Sequence, residues 1–449
     1  MMSPTNRLLL WAVWIVFPLA VLAAVDPVFI AVGLLIFLIA AIAVVFDLHR
    51  GAAYPDTYSA ALPDLTRYSR FSTGRFTVAL ECTQPRKRAH RIRIGLSVPE
   101  GLRIASPIQD VTLPPEAGPL SITWDCLPER RGQYTIEGAY LECSSPWGLW
   151  HLRRHLGNTA EIRVYPNLIP ERNRMASVFL NRSGLGIHAQ RQIGKGREFE
   201  QLREYIPGDS YEDIHWKATA RRGFPITKTY QIERTQEVYV IVDSSRLSAR
   251  LIPGSGPDGA PEAQLEHALS AALLLGVVAE KQGDFFGLVT FSSQVHQFIR
   301  ASKGHGHFNS CREALYTLQP QRVNPDFEEL CTFIRLRLRR RALLIFLTNL
   351  DDPVLAESFS RNLALLSNRH LVMVNMITPE HVRPLFSQGN AESIDDVYQH
   401  LGGHLQWNNL RETQRSLHRH GVDMHLADHE SLFADMVSQY VSVKQRQAL

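Results

Sequence analysis

Two long runs of uncharged residues at the N-terminus constrain the fold of this chain more than any other feature. The runs cover residues 8–25 and 28–46, and only Asp26 and Pro27 separate them. Each run is long enough to cross the roughly 30 Å hydrocarbon core of a bilayer as a helix. Helices satisfy their own backbone hydrogen bonds in lipid. We therefore predict that both runs are transmembrane helices, joined as a tight hairpin within residues 1–50.

The charges beside these runs predict their orientation. Arg7 precedes the first run and Arg50 follows the second, whereas the short connection carries no positive charge. By the positive-inside rule, both ends of the hairpin face the cytoplasm. We therefore predict a multi-pass protein of the inner (cytoplasmic) membrane, with its N-terminus and soluble domains in the cytoplasm. A cleaved signal peptide is the alternative for the first run, but a second full-length run follows almost at once.

Length and charge limit the kinds of protein that this chain can be. Its 449 residues exceed what one compact domain usually holds, so we expect several domains. A formal net charge of +4 is only mildly basic and predicts no nucleic-acid partner. The five cysteines form no CxxC pair, which favours reduced thiols packed as small apolar side chains.

Short alternating segments dominate the stretch after the apolar runs. Residues 75–80 and 91–98 alternate between polar and apolar side chains, and proline and glycine punctuate the stretch. This period of two, with a turn signal every ten or so residues, is typical of a small β-sandwich. We predict an all-β sandwich over residues 55–166. Residues 167–235 contain few apolar runs and are interpreted as a connecting region.

A different pattern begins after Gln236. Buried-type strands, such as residues 238–242 and 285–291, alternate with longer apolar-striped helical segments. This alternation predicts a doubly wound, mainly parallel sheet with helices on both faces, over residues 236–445. Ligands of such sheets bind in a crevice at the carboxyl ends of the strands.

The connecting region contains a crowd of charged and aromatic residues around a turn. Proline, glycine and aspartate at positions 207–209 are typical turn residues, each for its own conformational reason. The crowd could be a buried ion-pair network that locks two domains together, or a recognition surface for a partner. Charges removed from water are usually paired, and we favour the lock. The residues concerned are Arg203, Glu204, Tyr205, Pro207, Gly208, Asp209, Trp216, Lys217 and Arg221.

These residues, together with the Val-Asp-Ser-Ser run at 242–245, resemble the signature of the bacterial family called domain of unknown function 58. The resemblance is strong over about forty positions and extends over roughly residues 180–445. It implies a membrane-anchored protein with a von Willebrand factor A-like domain. It also implies a MoxR-type AAA+ ATPase as partner, since the two are commonly encoded side by side. It supplies no known reaction.

The resemblance also implies where a metal ion would bind. Von Willebrand factor A domains typically hold a divalent cation through an Asp-x-Ser-x-Ser loop and a later aspartate, and hard oxygen ligands suit Mg²⁺. Here Asp243 and Ser245 supply the first two positions, but Leu247 stands at the third and Asn349 at the later aspartate. The motif is half present and predicts, at most, Mg²⁺ on Asp243 and Ser245. Alternatively, Asp243 only caps backbone groups in the turn.

No set of catalytic residues emerges from the sequence. It contains no GxSxG elbow, no Walker phosphate loop and no HExxH. We therefore expect a non-enzymatic scaffold or adaptor, tethered to the bilayer, whose partner is a MoxR-type AAA+ ATPase active in protein maturation or assembly. The alternative is a metal-dependent ligand-binding or enzymatic domain that uses the Asp243 crevice.

Overall fold

The chain folds into more than one domain, as predicted. A computed structural model describes residues 2–25, 28–83, 90–113, 119–168, 193–194, 198–207, 210–231, 236–256, 259–385, 387 and 393–446. It divides into two compact units, residues 1–167 and 168–449. The first unit contains the apolar helices and a β-rich part, and the second contains the α/β part.

The apolar N-terminal residues are helical. Strand β1 (Met2–Pro4) leads into helix α1 (Asn6–Val25), and helix α2 (Val28–Ala52) follows. A Cβ atom placed on Gly33 would lie 3.6 Å from Cδ2 of Leu19, so the two helices pack side by side. Within the described residues, one helical stretch, Ile30–Thr57, is long and apolar enough to cross a bilayer. The predicted connection at Asp26 and Pro27 lies outside the described residues.

Both helices expose large apolar side chains. Such a surface is unusual for a soluble protein, where contiguous apolar patches are small, and it is suited to hydrocarbon. The exposed residues include Leu9, Leu10, Trp11, Val13, Trp14, Phe17, Leu34, Leu35, Phe37, Leu38, Ile39 and Ile42.

The outer ends of α1 and α2 meet the same loop of the β-rich part. The Thr5 hydroxyl donates to the Gly148 carbonyl at 2.8 Å. Asp47, which is only 1% exposed, accepts hydrogen bonds from the Ser145 hydroxyl at 2.5 Å and the Trp147 amide at 2.9 Å. The start of α1 and the end of α2 are therefore both hydrogen-bonded to the same loop of the β-rich part, residues 145–148. We call this contact the hairpin joint.

Eleven further strands of the first unit are described, and all lie within the span predicted as a β-sandwich. Their residues alternate between buried and exposed positions, which is the pattern of a sheet with one face on a core. The strands are β2 (Tyr58–Ala61), β3 (Leu65–Ser69), β4 (Gly74–Cys82), β5 (His90–Leu96), β6 (Leu102–Ile104), β7 (Ile108–Leu113), β8 (Leu120–Pro128), β9 (Gly132–Ile136), β10 (Ala139–Ser144), β11 (Trp150–Leu156) and β12 (Ala160–Tyr165).

Three sheets of this unit share one hydrophobic core. Their strand orders are β1-β11-β10-β5-β7, β2-β4-β8-β6 and β3-β12-β9. Phe76, Ile94, Trp124 and Ile162 come from different strands and lie together in the core. The packed sheets agree with the predicted all-β architecture.

The second unit begins with a small sheet and a helix where the sequence predicted a connecting region. Strands β13 (Ile193–Gly194), β14 (Glu198–Glu204) and β15 (Ile226–Gln231) pair antiparallel in the order β13-β15-β14. Helix α3 (Trp216–Arg222) lies between β14 and β15. The described part of the predicted connecting region therefore contains regular secondary structure. Charged side chains interrupt the apolar alternation here and mask the strand signal.

The main sheet of the second unit has six strands. They are β16 (Glu237–Asp243), β19 (Phe285–Phe291), β20 (Val295–Ser302), β21 (Leu343–Leu347), β22 (Leu371–Ile377) and β23 (Asp423–Ala427), with a separate short pair of β17 (Leu251–Ile252) and β18 (Glu262–Ala263). The order is β20-β19-β16-β21-β22-β23, and only β20 runs antiparallel to its neighbour.

Helices cover both faces of this sheet, which confirms the doubly wound, mainly parallel arrangement. Residues of α4, α5 and α9 share one core with the sheet, and residues of α6, α7 and α8 share the other. The carboxyl ends of β16, β21 and β22 therefore converge at one edge. The helices are α4 (Gln264–Lys281), α5 (His305–Leu315), α6 (Phe327–Arg337), α7 (Pro353–Ser367), α8 (Ile394–Arg419) and α9 (Leu432–Gln445).

Candidate functional site

Asp243 stands at the carboxyl end of β16 with both carboxylate oxygens already bound. It is only 2% exposed. Oδ1 accepts a hydrogen bond from the Ser245 amide at 2.7 Å, and Oδ2 accepts one from the Thr348 hydroxyl at 2.6 Å. Burial raises the pKa of Asp243, because a desolvated carboxylate is disfavoured. The Asp243 carboxylate therefore accepts a hydrogen bond from the backbone of the turn that follows β16. This is the capping role that the sequence offered as the alternative to metal binding.

The serines of the same loop also use their hydroxyl groups locally. Ser244 donates to the Phe291 carbonyl at 2.9 Å. Ser245 accepts from the Leu247 amide at 3.4 Å, and Ser248 donates to the Ser245 carbonyl at 2.8 Å. These bonds shape a tight turn after the strand. The loop is therefore held by its own hydroxyl groups.

Asn349, at the position where a metal-binding aspartate was sought, binds a glutamine instead. Nε2 of Gln264 donates to Oδ1 of Asn349 at 3.0 Å, and Nδ2 of Asn349 donates to Oε1 of Gln264 at 2.6 Å. Both side chains are buried. This reciprocal amide pair joins the carboxyl end of β21 to the first residue of α4. No pattern in the sequence pointed to Gln264, because the pair forms only when helix and strand meet.

A small cavity of about 20 Å³ lies beside Asp243. A cavity of that size has room for about one water molecule. Asn375, from β22, lines it and is 1% exposed; within the described part of the chain, neither its amide nitrogen nor its amide oxygen has a hydrogen-bond partner. Thr348 and Asn349 also line the cavity. The polar groups among its lining residues suit a water molecule, although most of the lining surface is apolar.

The side chains at this edge do not fit a magnesium site. Mg²⁺ requires near-octahedral oxygen ligands at about 2.0–2.1 Å, but the oxygens of Asp243 face an amide and a hydroxyl donor. Leu247 occupies the third position of the motif and is buried. Among the described residues, no group of three or more His, Cys, Asp or Glu could hold a metal ion. Mg²⁺ on Asp243 and Ser245, the most that the sequence predicted, would have to displace these hydrogen bonds.

Adding Mg²⁺ to the full-length protein should leave its melting temperature unchanged. A folded-state site saturated at 100 times its Kd would add about 2.7 kcal/mol of stability, which thermal unfolding and calorimetric titration would both detect. The matched variant is Asp243→Asn, which keeps the size and removes the charge. A magnesium-dependent rise in melting temperature that Asp243→Asn abolishes would contradict this expectation.

The same variant has an expected effect of its own on the dependence of stability on pH. The folded pKa of Asp243 is raised, so the stability of the wild type falls as pH rises above the unfolded value of about 3.9 towards the folded pKa. Asparagine has no ionisable group, so Asp243→Asn should not lose stability over this pH range. At neutral pH it should unfold at the same temperature as the wild type, or higher.

The family-signature residues are separated from the Asp243 loop in sequence and lie on the small antiparallel sheet and α3. Arg203 and Glu204 end β14, and Trp216, Lys217 and Arg221 belong to α3. Tyr205 and Pro207 follow β14. Gly208 and Asp209, predicted to form the turn, lie outside the described residues.

Most signature side chains on this element are exposed. Trp216 is 69% exposed, and Glu204, Pro207, Lys217 and Arg221 are exposed as well. Tyr211 and Ile206, which lie close in sequence but outside the signature, are 75% and 57% exposed. The rings of Tyr205 and Tyr211 stack with their centroids 5.8 Å apart. The favoured interpretation as a buried lock is therefore wrong for α3. The helix is too short and too polar to bury a face of its own, and none of its residues is buried.

Helix α3 carries three cationic side chains. Lys217, Arg221 and Arg222 are exposed, and none of them forms an ion pair within the described part of the chain. No acidic residue lies within the helix. Lys217 and Arg221 are four residues apart and share a helix face. Exposed aromatics beside unpaired cations have the composition of residues that dominate binding energy at protein interfaces. Ile206, Tyr211, Trp216, Lys217 and Arg221 are called the signature surface.

The signature surface rests on a firm base. Nδ1 of His215 accepts a hydrogen bond from the Ala218 amide at 3.0 Å and so caps the start of α3. The Thr219 hydroxyl accepts one from the Ile226 amide at 3.0 Å, which ties the helix to β15. Ile214 and Ile226 are buried beneath it. The exposed side chains are thus presented on a fixed backbone.

Fold and site define a multidomain chain with an apolar N-terminal helix, a β-rich unit and a doubly wound α/β unit that carries an exposed aromatic and cationic surface. Residues 201–397 match the model of the family described as "Protein of unknown function DUF58". The resemblance predicted from the sequence is confirmed over these residues. They include α3 and the Asp243 loop.

The curated relatives that match are described as uncharacterized proteins. Uncharacterized protein Mb1516 from Mycobacterium bovis is 24% identical over 192 residues, which are 42% of this chain and 57% of that protein. Uncharacterized protein Rv1480 from Mycobacterium tuberculosis matches with the same identity and coverage. The chain thus spans less than two thirds of the length of these relatives.

Solved structures show only a distant likeness. The conserved hypothetical protein BatB from Bacteroides thetaiotaomicron has a TM-score of 0.30 and 12% identity, over 47% of this chain and 99% of that one. An aerotolerance-related membrane protein from Bacteroides fragilis has a TM-score of 0.27 and 10% identity, over 45% of this chain and 97% of that one. Scores this low support no statement about activity.

Proposed function

We propose that this protein is a membrane-anchored scaffold or adaptor without enzymatic activity, and that its signature surface docks a protein partner. The observation that carries the proposal is the exposure of Trp216, Lys217 and Arg221 on a short helix clamped to a sheet. A partner with an acidic rim around an apolar pocket would neutralise the cations and cover the tryptophan. The family resemblance favours a MoxR-type AAA+ ATPase as that partner, in protein maturation or assembly.

The membrane topology is the second element of the proposal. Both apolar helices cross the inner membrane, and the N-terminus and the soluble domains lie in the cytoplasm. The hairpin joint supports this topology, because Thr5 before α1 and Asp47 near the end of α2 bind the same loop. Two ends held by one loop fit an even number of crossings. Arg7 and Arg50, outside the runs, agree with a cytoplasmic position.

The α/β unit serves in this proposal as a von Willebrand factor A-like framework rather than as a catalytic domain. The position of Asp243 after the first strand of a mainly parallel sheet supports this assignment. We prefer the adaptor to a ligand-binding crevice because the polar groups of Asp243 and Asn349 are already hydrogen-bonded to neighbouring residues. We therefore expect a partner protein to contact the exposed elements of the α/β unit.

Replacing Trp216 with alanine should lower recovery of the AAA+ ATPase about 30-fold in a crosslinked pull-down from native membranes. A tryptophan that dominates an interface contributes 2 kcal/mol or more, and 1.4 kcal/mol is a factor of ten in affinity. The Lys217→Glu, Arg221→Glu double variant should act in the same direction through charge repulsion. Quantitative mass spectrometry of the ATPase measures both effects.

The control is Tyr140→Ala, which removes a half-exposed aromatic ring from the β-rich unit. It should leave recovery unchanged, and thermal unfolding of all variants should match the wild type because the altered side chains are exposed. Equal recovery by wild type and Trp216→Ala, or a wild type that recovers no AAA+ ATPase, would contradict the proposal.

A further inference from the structure

Helix α8 presents a stripe of apolar side chains to solvent. Ile394 is 76% exposed, Val397 53%, Tyr398 69%, Leu401 46% and Leu405 57%. At 3.6 residues per turn, these five positions fall within about 100° of the helix circumference. They form one continuous face over the first three turns. We call this face the α8 stripe.

The opposite side of α8 is the one that packs on the domain. Gly403, Leu410 and Leu417 are its buried residues, and Trp407 packs against the same core. By the same helical geometry, these positions lie about half a turn away from the stripe. The α8 stripe therefore points away from its own domain. A side chain of the α8 stripe could reach the core of the α/β unit only if the whole helix rotated.

The stripe is held in a fixed position. Ser393 and Asp396 form a capping box at the start of the helix, with bonds of 2.9 and 3.1 Å. Nδ1 of His404 accepts a hydrogen bond from the Leu385 amide at 3.0 Å and ties the helix to the preceding loop. A capped and anchored helix loses little further freedom when it is covered. The stripe is therefore ready to bind without rearrangement.

The spacing of the stripe matches a second copy of itself. Four of its five residues, Ile394, Tyr398, Leu401 and Leu405, follow one another at intervals of four, three and four residues, and Val397 lies at the side of this row. This order is the same when it is read backwards. In an antiparallel pair, Ile394 of one copy meets Leu405 of the other, and Tyr398 meets Leu401. Intervals of three and four are those of apolar seams between packed helices, and a two-fold axis makes such contacts self-complementary.

The charges of α8 favour the same antiparallel arrangement. Asp395 and Asp396 lie in the first turn, whereas Arg411, Arg415 and Arg419 lie in the second half. In this antiparallel register the acidic first turns of the two copies lie about 10–14 Å apart along the axis, whereas two parallel copies place them side by side. No lysine or arginine lies between Ile394 and Leu405. An amphipathic helix that binds anionic lipid carries such cations on its polar face.

We propose that the α8 stripe is a homodimer surface, on which the α8 helices of two protein copies pack antiparallel. Five partly exposed side chains per copy cover less than the roughly 1,000 Å² of a firm interface. The dimer is therefore weak in dilute solution, and confinement to a membrane raises the effective concentration that it needs. The proposal rests on α8 alone and does not depend on the signature surface.

Cysteine crosslinking of the full-length protein in membranes tests the register. One tagged copy carries Ile394→Cys and a differently tagged copy carries Leu405→Cys, both with Cys82→Ser because that native thiol is only half-buried. A short thiol crosslinker should join the two tags. Two copies of Ile394→Cys should not crosslink, because an antiparallel pair places these positions about 16 Å apart along the axis. Gln399→Cys, exposed but off the stripe, is the control that stays uncrosslinked.

A second experiment disrupts the surface. Leu405→Glu places a carboxylate beside Asp395 of the other copy and should raise the dimer dissociation constant at least about tenfold. The matched control is Leu365→Glu on α7, since Leu365 and Leu405 are both 57% exposed. The control should change the constant less than about twofold. Sedimentation equilibrium of the full-length protein in detergent micelles measures it.

Three results would overturn the proposal. The first is a monomeric wild type that gives no crosslink between the two tags in membranes. The second is crosslinking of Ile394→Cys to itself, which indicates a parallel pair. The third is a Leu405→Cys thiol protected from water-soluble reagents in a monomer, which means that lipid or residues 169–192 of the same chain cover the stripe.

Discussion

Replacing Asp284 with alanine should lower the free energy of unfolding by about 3 kcal/mol. The Asp284 carboxylate is 1% exposed and accepts hydrogen bonds from the Tyr440 hydroxyl, from Nζ of Lys444 at 2.8 Å and from the Gln236 amide at 3.2 Å. Burial and the neighbouring carboxylate raise the pKa of Tyr440, so its hydroxyl stays a donor. Removing one member of a buried charged network leaves the others without compensation.

The network matters because it joins distant parts of the chain. Asp284 precedes β19, Gln236 precedes β16, and Tyr440 and Lys444 belong to α9. Chemical unfolding of the full-length protein in detergent micelles measures the loss. Tyr440→Phe serves as the graded comparison: it removes one donor and should cost about 1 kcal/mol. A loss below about 0.5 kcal/mol for Asp284→Ala, the range of ordinary surface changes, would contradict this account.

Replacing Gly403 with alanine should destabilise the α/β unit by about 3 kcal/mol. A Cβ atom at this position of α8 would lie 1.9 Å from the carbonyl oxygen of His381. The obstacle is backbone and cannot swing aside, so the helix or the loop must move. Forcing extra atoms into a packed contact costs roughly 1–3 kcal/mol, and more where the neighbour is rigid. Thermal unfolding measures the effect.

The neighbouring glycine provides a matched control. A Cβ atom on Gly402 meets nothing within 4 Å, and alanine is a better helix former than glycine by about 1 kcal/mol. Gly402→Ala should therefore stabilise the protein slightly, one residue away from a change that harms it. Equal effects of the two substitutions would show that α8 does not pack against the His381 loop as described.

The consequences for the α8 stripe differ between these two variants. Gly403→Ala should displace α8 from its contact with the His381 loop and so weaken dimerisation indirectly. Gly402→Ala should keep this contact and leave dimerisation intact. The pair thus separates an effect of helix position from an effect of the stripe itself. Leu405→Glu changes the stripe without altering the contact between α8 and the His381 loop.

Local patterns were sufficient to predict much of the architecture. The uncharged runs predicted α1 and α2 because an apolar segment of that length has few stable states except a helix. The alternation of apolar strands with longer helical stripes predicted the doubly wound sheet, since each period belongs to one kind of element. The signature around Trp216 was enough to identify the family that residues 201–397 match.

The exposed surfaces could not be predicted in this way. The sequence favoured a buried lock for Trp216, Lys217 and Arg221, whereas the structure leaves them in solvent. Exposure depends on which distant segment covers a side chain, and no local pattern records that. No prediction was made for α8, whose exposed apolar face likewise depends on what the rest of the chain leaves uncovered.

The candidate metal site shows which features the sequence specified and which depended on the tertiary structure. The sequence by itself determined that Asp243 and Ser245 follow a strand of a mainly parallel sheet, and that Leu247 and Asn349 replace two oxygen ligands of the motif. Only the tertiary structure decided how the remaining groups are used. Thr348 and Gln264 reach Asp243 and Asn349 from other elements and occupy their polar atoms. Spacing along the chain specifies strands and turns, whereas hydrogen-bond partners are specified by segments brought together in folding.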